Sequence, residues 1–449
     1  MKKRLLLISY LFIFHYGILV SQNSVIPESL TFDQAVSIAI RNNPDLKIKD
    51  LDNLIAAEQY NEARLKLVPQ IYGRYDLQRN LIIPSTLVPI GKFNPDFPSD
   101  ELTPIRFGTN WASIAGLFAS VKIFDPVIMG DIREKRAAMT LTEVEKKITQ
   151  TDLETETGKA YANCLLSLEQ VKFAANDTIN SFRQLSESYL KFSSGMLKQT
   201  DLNQAVINHS NSVSRFNEAS KIYSDSRKTL AYWMNAGETD FEAVTLSDSL
   251  NQLIDRLGNH GKEVNDIRSS LTYQRLEAQD NIDNLKLKNV KAGFLPAISL
   301  NGILSTDYYN NQFNLTNGEY WFGNSNINLS IHLPITGGIE RTKRIRQQKY
   351  RIEANKYELS SALGKKQLEM NRISDNIEFY RKEIIIKKSS LELAGYNYEA
   401  SFSLFREGRL LPSGLSEAEL SLRQTKIDYL KALYNYIDSL LELKKIIRS

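Results

Sequence analysis

Two stretches of this chain are too long, and too free of helix breakers, for an ordinary globular domain. From about Ile132 to Phe192 there is no proline, and Gly158 is the only glycine. From Ile339 to Phe405 there is again no proline, with Gly364 and Gly395 alone. Each stretch predicts one continuous helix, and about 65 residues at 1.5 Å per residue span roughly 100 Å. The apolar spacing says what such helices pack against. Leu168, Val171, Ala175, Ile179, Phe182, Leu185, Tyr189, Phe192 and Met196 advance 3.5 residues per step. Ile373, Ile377, Tyr380, Ile384, Lys387, Leu391, Ala394, Tyr398, Ser401 and Phe405 keep that spacing, and so do two shorter stretches, Leu202–Tyr223 and Leu422–Leu443. A 3.5 period predicts supercoiled helix pairing. The flanking positions are rich in Ala, Ser and Asn, which suits helices with neighbours on both sides.

The chain repeats itself. Tyr189-Leu-Lys-Phe-Ser-Ser-Gly195 resembles Phe402-Ser-Leu-Phe-Arg-Glu-Gly408, and Asp201-Leu202 then matches Gly414-Leu415. Lys66-Leu-Val-Pro69 resembles Gly293-Phe-Leu-Pro296, and Val121-Lys-Ile-Phe-Asp125 resembles Ile331-His-Leu-Pro-Ile335. Each copy reads helix, strand, strand, long helix, turn, helix. The expected division is residues 23–235 and 262–449 as two repeats, joined by an irregular linker over 236–261. The first copy carries an extra stretch at Leu81–Pro104, whose five prolines predict a long loop.

The strands alternate. Over Ala297–Tyr308, Ile298, Leu300, Gly302 and Leu304 oppose Asn301, Ile303, Ser305 and Asp307. Over 321–334, Ile327, Leu329 and Ile331 oppose Asn324, Asn326 and Asn328. In the first copy, Ile71, Gly73, Tyr75 and Leu77 oppose Tyr72, Arg74, Asp76 and Gln78 over about 70–80, whereas 110–124 is apolar on both faces. These runs are long enough for tilted strands to cross a bilayer. Aromatics gather at their ends (Phe107, Trp111, Tyr308, Tyr309, Tyr320, Trp321, Phe322), as at a membrane interface. Candidate lipid-facing residues are therefore Ile298, Leu300, Leu304, Ile327, Leu329 and Ile331. Candidate barrel-lumen residues are Asn301, Asp307, Asn324, Asn326 and Asn328. A soluble hairpin with one wet face alternates in the same way. Four strands cannot close a membrane barrel, which needs about eight, so a membrane reading requires several copies.

Export is indicated at the N-terminus. Lys2-Lys3-Arg4 precede an apolar run from Leu5 to Val20, and residues 1–22 read as a signal peptide. Those three cations account for most of the formal charge of +4, so charge gives no nucleic-acid footprint. The one cysteine, Cys164, lies on an apolar stripe and reads as a packing residue. His209, His260 and His332 are scattered, and no metal spacing, phosphate-binding loop or nucleophile motif stands out. The expectation is a non-enzyme without cofactor. The basic run Arg341, Lys343, Arg344, Arg346, Lys349 and Arg351 reads as a solvated helix face within reach of lipid headgroups.

The sequence resembles the TolC-type outer-membrane efflux family. The resemblance is carried by Leu30-Thr-Phe-Asp-Gln-Ala-Val36 followed by Ala39-Ile-Arg-Asn-Asn-Pro44, by Ala63-Arg-Leu-Lys-Leu-Val-Pro69 and Lys291-Ala-Gly-Phe-Leu-Pro296 before the two hairpins, and by the corner Leu333-Pro-Ile-Thr-Gly-Gly338. The first-copy corner, Ile123-Phe-Asp-Pro-Val127, lacks the glycine pair. The resemblance implies a mainly α chain with a small β part: long coiled-coil-like helices forming an α-barrel tunnel, and four strands donated to a twelve-stranded barrel shared by a homotrimer. It implies an exit duct in the cell outer membrane with a periplasmic extension, serving a tripartite efflux or type I secretion system. Its partners would be a periplasmic adaptor (membrane fusion protein), an inner-membrane pump and outer-membrane lipid. In the family, acidic residues after the second turn narrow the tunnel. The matching positions here are Gly414 and Glu417, with Asp201 and Gln204 in the first copy and Gly195 and Gly408 at the turns. Glu417 and Asp201 also read as charges complementing helix dipoles, with Ser413 or Ser416 as caps. The competing class is an exported periplasmic coiled-coil scaffold or adaptor with soluble hairpins.

Overall fold

A computed structural model describes residues 27–92, 96, 98, 102–237, 241, 243–258, 269–335 and 338–448. The segment 1–22 expected to be a signal peptide, His260 and two residues of the second corner, Thr336 and Gly337, lie outside them. The elements in chain order are β1 (Ser29–Leu30), α1 (Phe32–Asn42), α2 (Pro44–Leu65), β2 (Gln70–Arg79), β3 (Ser85–Pro89), β4 (Leu102–Arg106), β5 (Trp111–Phe124), α3 (Pro126–Ser193), α4 (Gln199–Trp233), β6 (Thr245–Leu246), α5 (Leu250–Gly258), α6 (Leu271–Ala292), β7 (Ala297–Asn310), β8 (Trp321–His332), α7 (Gly338–Arg406) and α8 (Pro412–Arg448). The succession helix, strand, strand, long helix, helix occurs twice. The long helices α3 and α7 run 68 and 69 residues without interruption, about 100 Å each. Two compact units share the chain. One takes residues 1–44, 152–262 and 375–444, and the other takes 45–151, 263–374 and 445–449.

In the first unit the opening motif acquires a physical role. Leu30 lies in β1, which pairs in parallel with β6 through Leu30↔Leu246. Thr31 caps α1, and its backbone N–H is returned a bond by Gln34 at 2.9 Å, a reciprocal capping box. Phe32 turns inward onto Tyr161 of α3, edge to face at 5.8 Å. The Tyr161 hydroxyl donates to the Leu30 carbonyl at 2.9 Å. Gly158 lets this happen, because a Cβ there would sit 3.0 Å from Leu441 and 3.2 Å from Phe32. Cys164, Leu230, Met234, Leu253, Ile437 and Leu441 are also buried in this unit.

Both turns between long and returning helices have the same geometry. Gly195 and Gly408 adopt φ of 75° and 77°. At the first, Met196 N–H bonds the Lys191 carbonyl at 2.8 Å and Gly195 N–H bonds Phe192 at 3.0 Å. At the second, Arg409 bonds Leu404 at 2.9 Å and Gly408 bonds Phe405 at 3.0 Å. These are Schellman caps, which consume the orphan carbonyls of a helix end and require a left-handed residue. Beneath the second turn, Ala394, Tyr398, Phe402, Phe405, Leu415 and Leu422 form a compact core.

Two expectations are corrected. The proline-rich stretch 81–104 is not all loop, since β3 and β4 pair antiparallel through Leu87↔Pro104 and Val88↔Thr103. A two-stranded ribbon leaves one side of each strand free, so Pro89 and Pro104 cost little there, while Thr86 and Val88 favour strand. The linker is not irregular throughout, because residues 250–258 form α5. Ser249 and Gln252 cap it reciprocally, and Leu253 and Leu257 bury its inner face.

The turn geometry predicts that Gly408→Ala destabilises the fold by about 1–2 kcal/mol through the left-handed backbone, with Gly408→Asn costing less. At Gly195 no atom lies within 4 Å of an added Cβ, so Gly195→Ala isolates the backbone term. Thermal melts followed by helical circular dichroism measure all three.

Candidate functional site

The second unit holds a four-stranded antiparallel sheet in the order β2-β5-β7-β8. Its register brings the four strands' alternations into phase. Ile71 lies opposite Ala119, Ala119 opposite Gly302, and Gly302 opposite Ile327. One row further, Gly73, Leu117, Leu304 and Ser325 align. Cross-strand partners share a face, so one face carries Ile71, Tyr75, Leu117, Val121, Ile298, Leu300, Leu304, Ile327, Leu329 and Ile331. In the single chain Leu304, Ile327 and Ile331 are 63%, 81% and 67% exposed.

The opposite face carries Arg74, Asp76, Lys122, Asn301, Asp307, Asn324, Asn326 and Asn328. Its polar groups bond along and across strands. Ser120 donates to Asn301 at 2.9 Å, and Asn324 donates to Asp307 at 3.3 Å. Arg74 pairs with Asp76 at 2.6 Å. The apolar half of β5 on this side is covered, since Phe118 stacks on Tyr72 at 5.5 Å and lies under the Arg74 guanidinium at 4.7 Å. That is why β5 reads as apolar on both faces. At one end of the sheet, Trp111 meets Phe313 at 4.6 Å and Tyr308 meets Trp321 at 5.3 Å.

In the first unit the structure brings the two turn motifs together. Lys191 donates to the Arg406 carbonyl at 3.1 Å, and Asn208 donates to Ser416 at 3.2 Å. Gln204 donates to Asn208 at 2.9 Å. Asp201 stands in the first turn of α4, where a negative charge complements the dipole. Glu417 does not share that role. It is exposed, a turn further along α8, and that helix has no acid in its first turn. Because α8 starts at Pro412, Ser413 and Ser416 lie inside the helix rather than at its cap. Leu410 occupies the space beside Gly414, since a Cβ there would meet its Cδ1 at 2.9 Å.

Sequence reading missed two buried polar layers. In the first unit, Lys426 occupies an apolar heptad position yet is buried and pairs with Asp177. Glu419, also buried, reaches Arg423 at 3.9 Å. Burial pushes the Glu419 carboxyl up, opposed by Arg423, Arg215 and Lys426. In the second unit, Asp283 of α6 is buried. It accepts from Asn355 at 2.9 Å, Gln279 at 3.0 Å and Gln348 at 3.2 Å, and faces Lys286 at 3.5 Å. Burial alone would raise its pKa, but these amide bonds and the Lys286 charge hold it below the usual carboxylate range. Cys164 is buried as expected, and burial pushes its thiol up to about 12. Among the described residues no group of His, Cys, Asp and Glu could hold a metal ion, and no helix is long and apolar enough to cross a membrane.

Uninterrupted helices of nearly 70 residues, flanking strands with one apolar and one polar face, give this chain the fold of the TolC-type outer-membrane channels, which it also resembles in sequence. It is 23% identical over 450 residues to outer membrane protein TolC of Escherichia coli strain K12, covering 95% of this chain and 84% of that one. Its fold matches the Campylobacter jejuni CmeC outer membrane channel at a TM-score of 0.71 and 16% identity, over 93% of this chain and 85% of that one. The open-state Neisseria gonorrhoeae MtrE outer membrane channel matches at 0.71 and 15%, over 93% and 88%. No protein-family model matches the sequence.

The Asp283 layer gives a pH dependence with a definite sign. Its folded pKa lies below the unfolded value, so its stabilisation is complete above the ordinary carboxylate range and fades as pH falls below about 4. Asp283→Asn is expected to lower the thermal midpoint at pH 7, with the gap to the wild type narrowing from about pH 4 downward. A gap that stays constant from pH 7 to 3 would remove Asp283 from the balance.

Proposed function

We propose that three copies of this chain close one twelve-stranded barrel in the outer membrane, continued by an α-helical tunnel in the periplasm. The assembly is the passive exit duct of a tripartite efflux or type I secretion system, fed through a periplasmic adaptor by an inner-membrane pump. The observation that carries this reading is the in-phase sheet. One face is apolar across all four strands, the other is polar, and β2 and β8 end the sheet as edges. In hydrocarbon an unpaired edge is untenable, and self-association is the way four strands become a closed barrel. In this reading Ile298, Leu300, Leu304, Ile327, Leu329 and Ile331 face lipid. Asn301, Asp307, Asn324, Asn326 and Asn328 line the lumen.

Charge on the two faces discriminates. Arg at mid-bilayer costs about 2–4 kcal/mol per chain, felt three times in a trimer. Leu329→Arg is expected to abolish detergent-extractable trimer in the outer-membrane fraction, while Asn326→Arg assembles normally. Equal trimer yields for the two variants would sink the face assignment, and release of the wild type from membranes by carbonate would favour a soluble scaffold.

The turns form the narrow periplasmic end in the same reading. Gly195 and Gly408 shape them, and Asp201 and Gln204 flank the constriction. Three Glu417 carboxylates approach one axis there and attract cations. Gly414, covered by Leu410, leaves this ring with a single acid. Glu417→Gln is expected to lower cation selectivity in planar bilayers without changing trimer yield, and Glu417→Arg to favour anions. Unchanged reversal potentials in both variants would place Glu417 outside the pore.

A further inference from the structure

Of the helices that adjoin the sheet in the second unit, α2 leads into the outer strand β2, and β8, the other outer strand, leads into α7. Each uses one face within the chain. Helix α2 buries Leu46, Ala56 and Ala63 and pairs with α3 through Lys49–Glu145 at 3.5 Å, joined just past its end by Lys66–Asp131 at 2.8 Å. Helix α7 turns Gln348 and Asn355 to Asp283 of α6. At about 100° per residue, the faces left over can be read directly. On α2 the free face carries Leu51, Ile55, Glu58, Glu62 and Leu65. On α7 it carries Ile339, Lys343, Arg346 and Tyr350. All nine are exposed; Leu51 and Leu65 are 58% and 62% exposed, and Ile339 is 80% exposed.

These faces are complementary. Both step by three and four residues, the spacing of a coiled-coil seam. One is acidic and apolar, the other basic and apolar. We infer that α2 of one copy and α7 of the next pair antiparallel along a charge-matched seam, which sets the order and register of the copies. The inference rests on the trimeric reading above. Strands alternate in direction across the sheet, so β8 of one copy meets β2 of the next antiparallel, with Gln70 and His332 at the same end. Leu65 precedes Gln70 by five residues, and Ile339 follows His332 by seven. Starting from Leu65 beside Ile339, the antiparallel steps place Glu62 at Lys343, Glu58 at Arg346 and Ile55 at Tyr350. The first repeat offers no equivalent basic face. Its long helix opens with Asp131, Arg133, Glu134, Lys135 and Arg136, of mixed sign, and Lys66 already engages Asp131. Lys343 and Arg346 of the basic run at 341–351 thus face the next copy, whereas Arg341 and Arg344 are engaged within the chain by Gly293 and Glu340.

Zero-length carbodiimide coupling of the purified full-length channel in detergent tests this. Coupling of Glu62 or Glu58 to Lys343 is expected to produce dimer and trimer bands on a denaturing gel, with the joined peptides identified by mass spectrometry. Lys343→Glu with Arg346→Glu should abolish those bands and lower the temperature at which the trimer dissociates. Adding Glu58→Lys and Glu62→Lys should restore both. The difference should shrink in 1 M salt, where the screening length is about 3 Å. A trimer by light scattering that lacks these cross-links, or whose dissociation temperature ignores the reversal, overturns the seam and leaves the trimer standing. A charge reversal that reduces binding to phosphatidylglycerol vesicles without touching the trimer overturns it in favour of lipid. A monomer by light scattering overturns both readings.

Discussion

The backbone at the two outer strands governs how this chain can exist in a membrane. A β-strand presents N–H and C=O groups on both sides, and lipid offers neither donor nor acceptor. The inner strands β5 and β7 are paired on both sides within the chain, over 111–120 and 298–308. The outer strands β2 and β8 are paired on one side. A soluble protein tolerates such an edge by leaving it in water. The apolar face that runs across all four strands makes that solution expensive, because Ile71, Tyr75, Leu117, Leu304, Ile327, Leu329 and Ile331 would remain wet. In the proposed membrane barrel the same face drives the sheet into lipid, and the unpaired edges forbid it to stay open there. In that reading, assembly is built into the strand count.

Helices of this length raise a different problem. A seam of Leu and Ile would hold two helices tightly, but it would also let them slip by a heptad at little cost. Here the stripes are broken by small and polar residues, and buried polar layers occupy positions where slippage would leave a charge unmatched. Lys426 with Asp177 does this in one unit, and Asp283 with its three amide partners does it in the other. Such layers contribute little net stability compared with an apolar core of the same shape, yet losing one partner costs several kcal/mol. A one-heptad slip would separate these partners, as it does for the single polar residue that fixes register in simpler coiled coils. The Schellman glycines at both turns serve the same end, since they close the helices at a defined residue.

The parts of this molecule written as periodicity were legible from sequence. The absence of proline from α3 and α7, the 3.5-residue stripes and the alternation of β7 and β8 each follow from one chain segment read alone. What depends on two segments meeting was less so. Lys426 sits in an apolar stripe, and only the approach of Asp177, 249 residues earlier, explains it. The two apolar faces of β5 look like a buried strand until Tyr72 and Arg74 are seen covering Phe118. The helix at 250–258 carries its pattern in the sequence, Leu253 and Leu257 four apart behind a Ser249–Gln252 box, but it reads as irregular because polar residues surround so short a segment. At 81–104 the proline count outweighed the strand propensity of Thr86 and Val88, and a ribbon with one free side per strand accommodates both.

The opening motif shows how a recurring string of residues can be structural rather than chemical. Leu30, Thr31, Phe32 and Gln34 do four separate things within five residues. They add a strand to β6, cap a helix, fill the gap left by Gly158 and return a bond to the cap. All four are structural contacts. Each ties the start of the chain to α3 and to the segment at 245–248, where Asp248 accepts from the Phe32 N–H at 2.7 Å and from Tyr161 at 3.0 Å. The passive duct proposed above needs this kind of residue more than it needs a reactive one. Its sequence should carry its signature at caps, close approaches and register layers, with chemistry confined to the few charges that face whatever passes through.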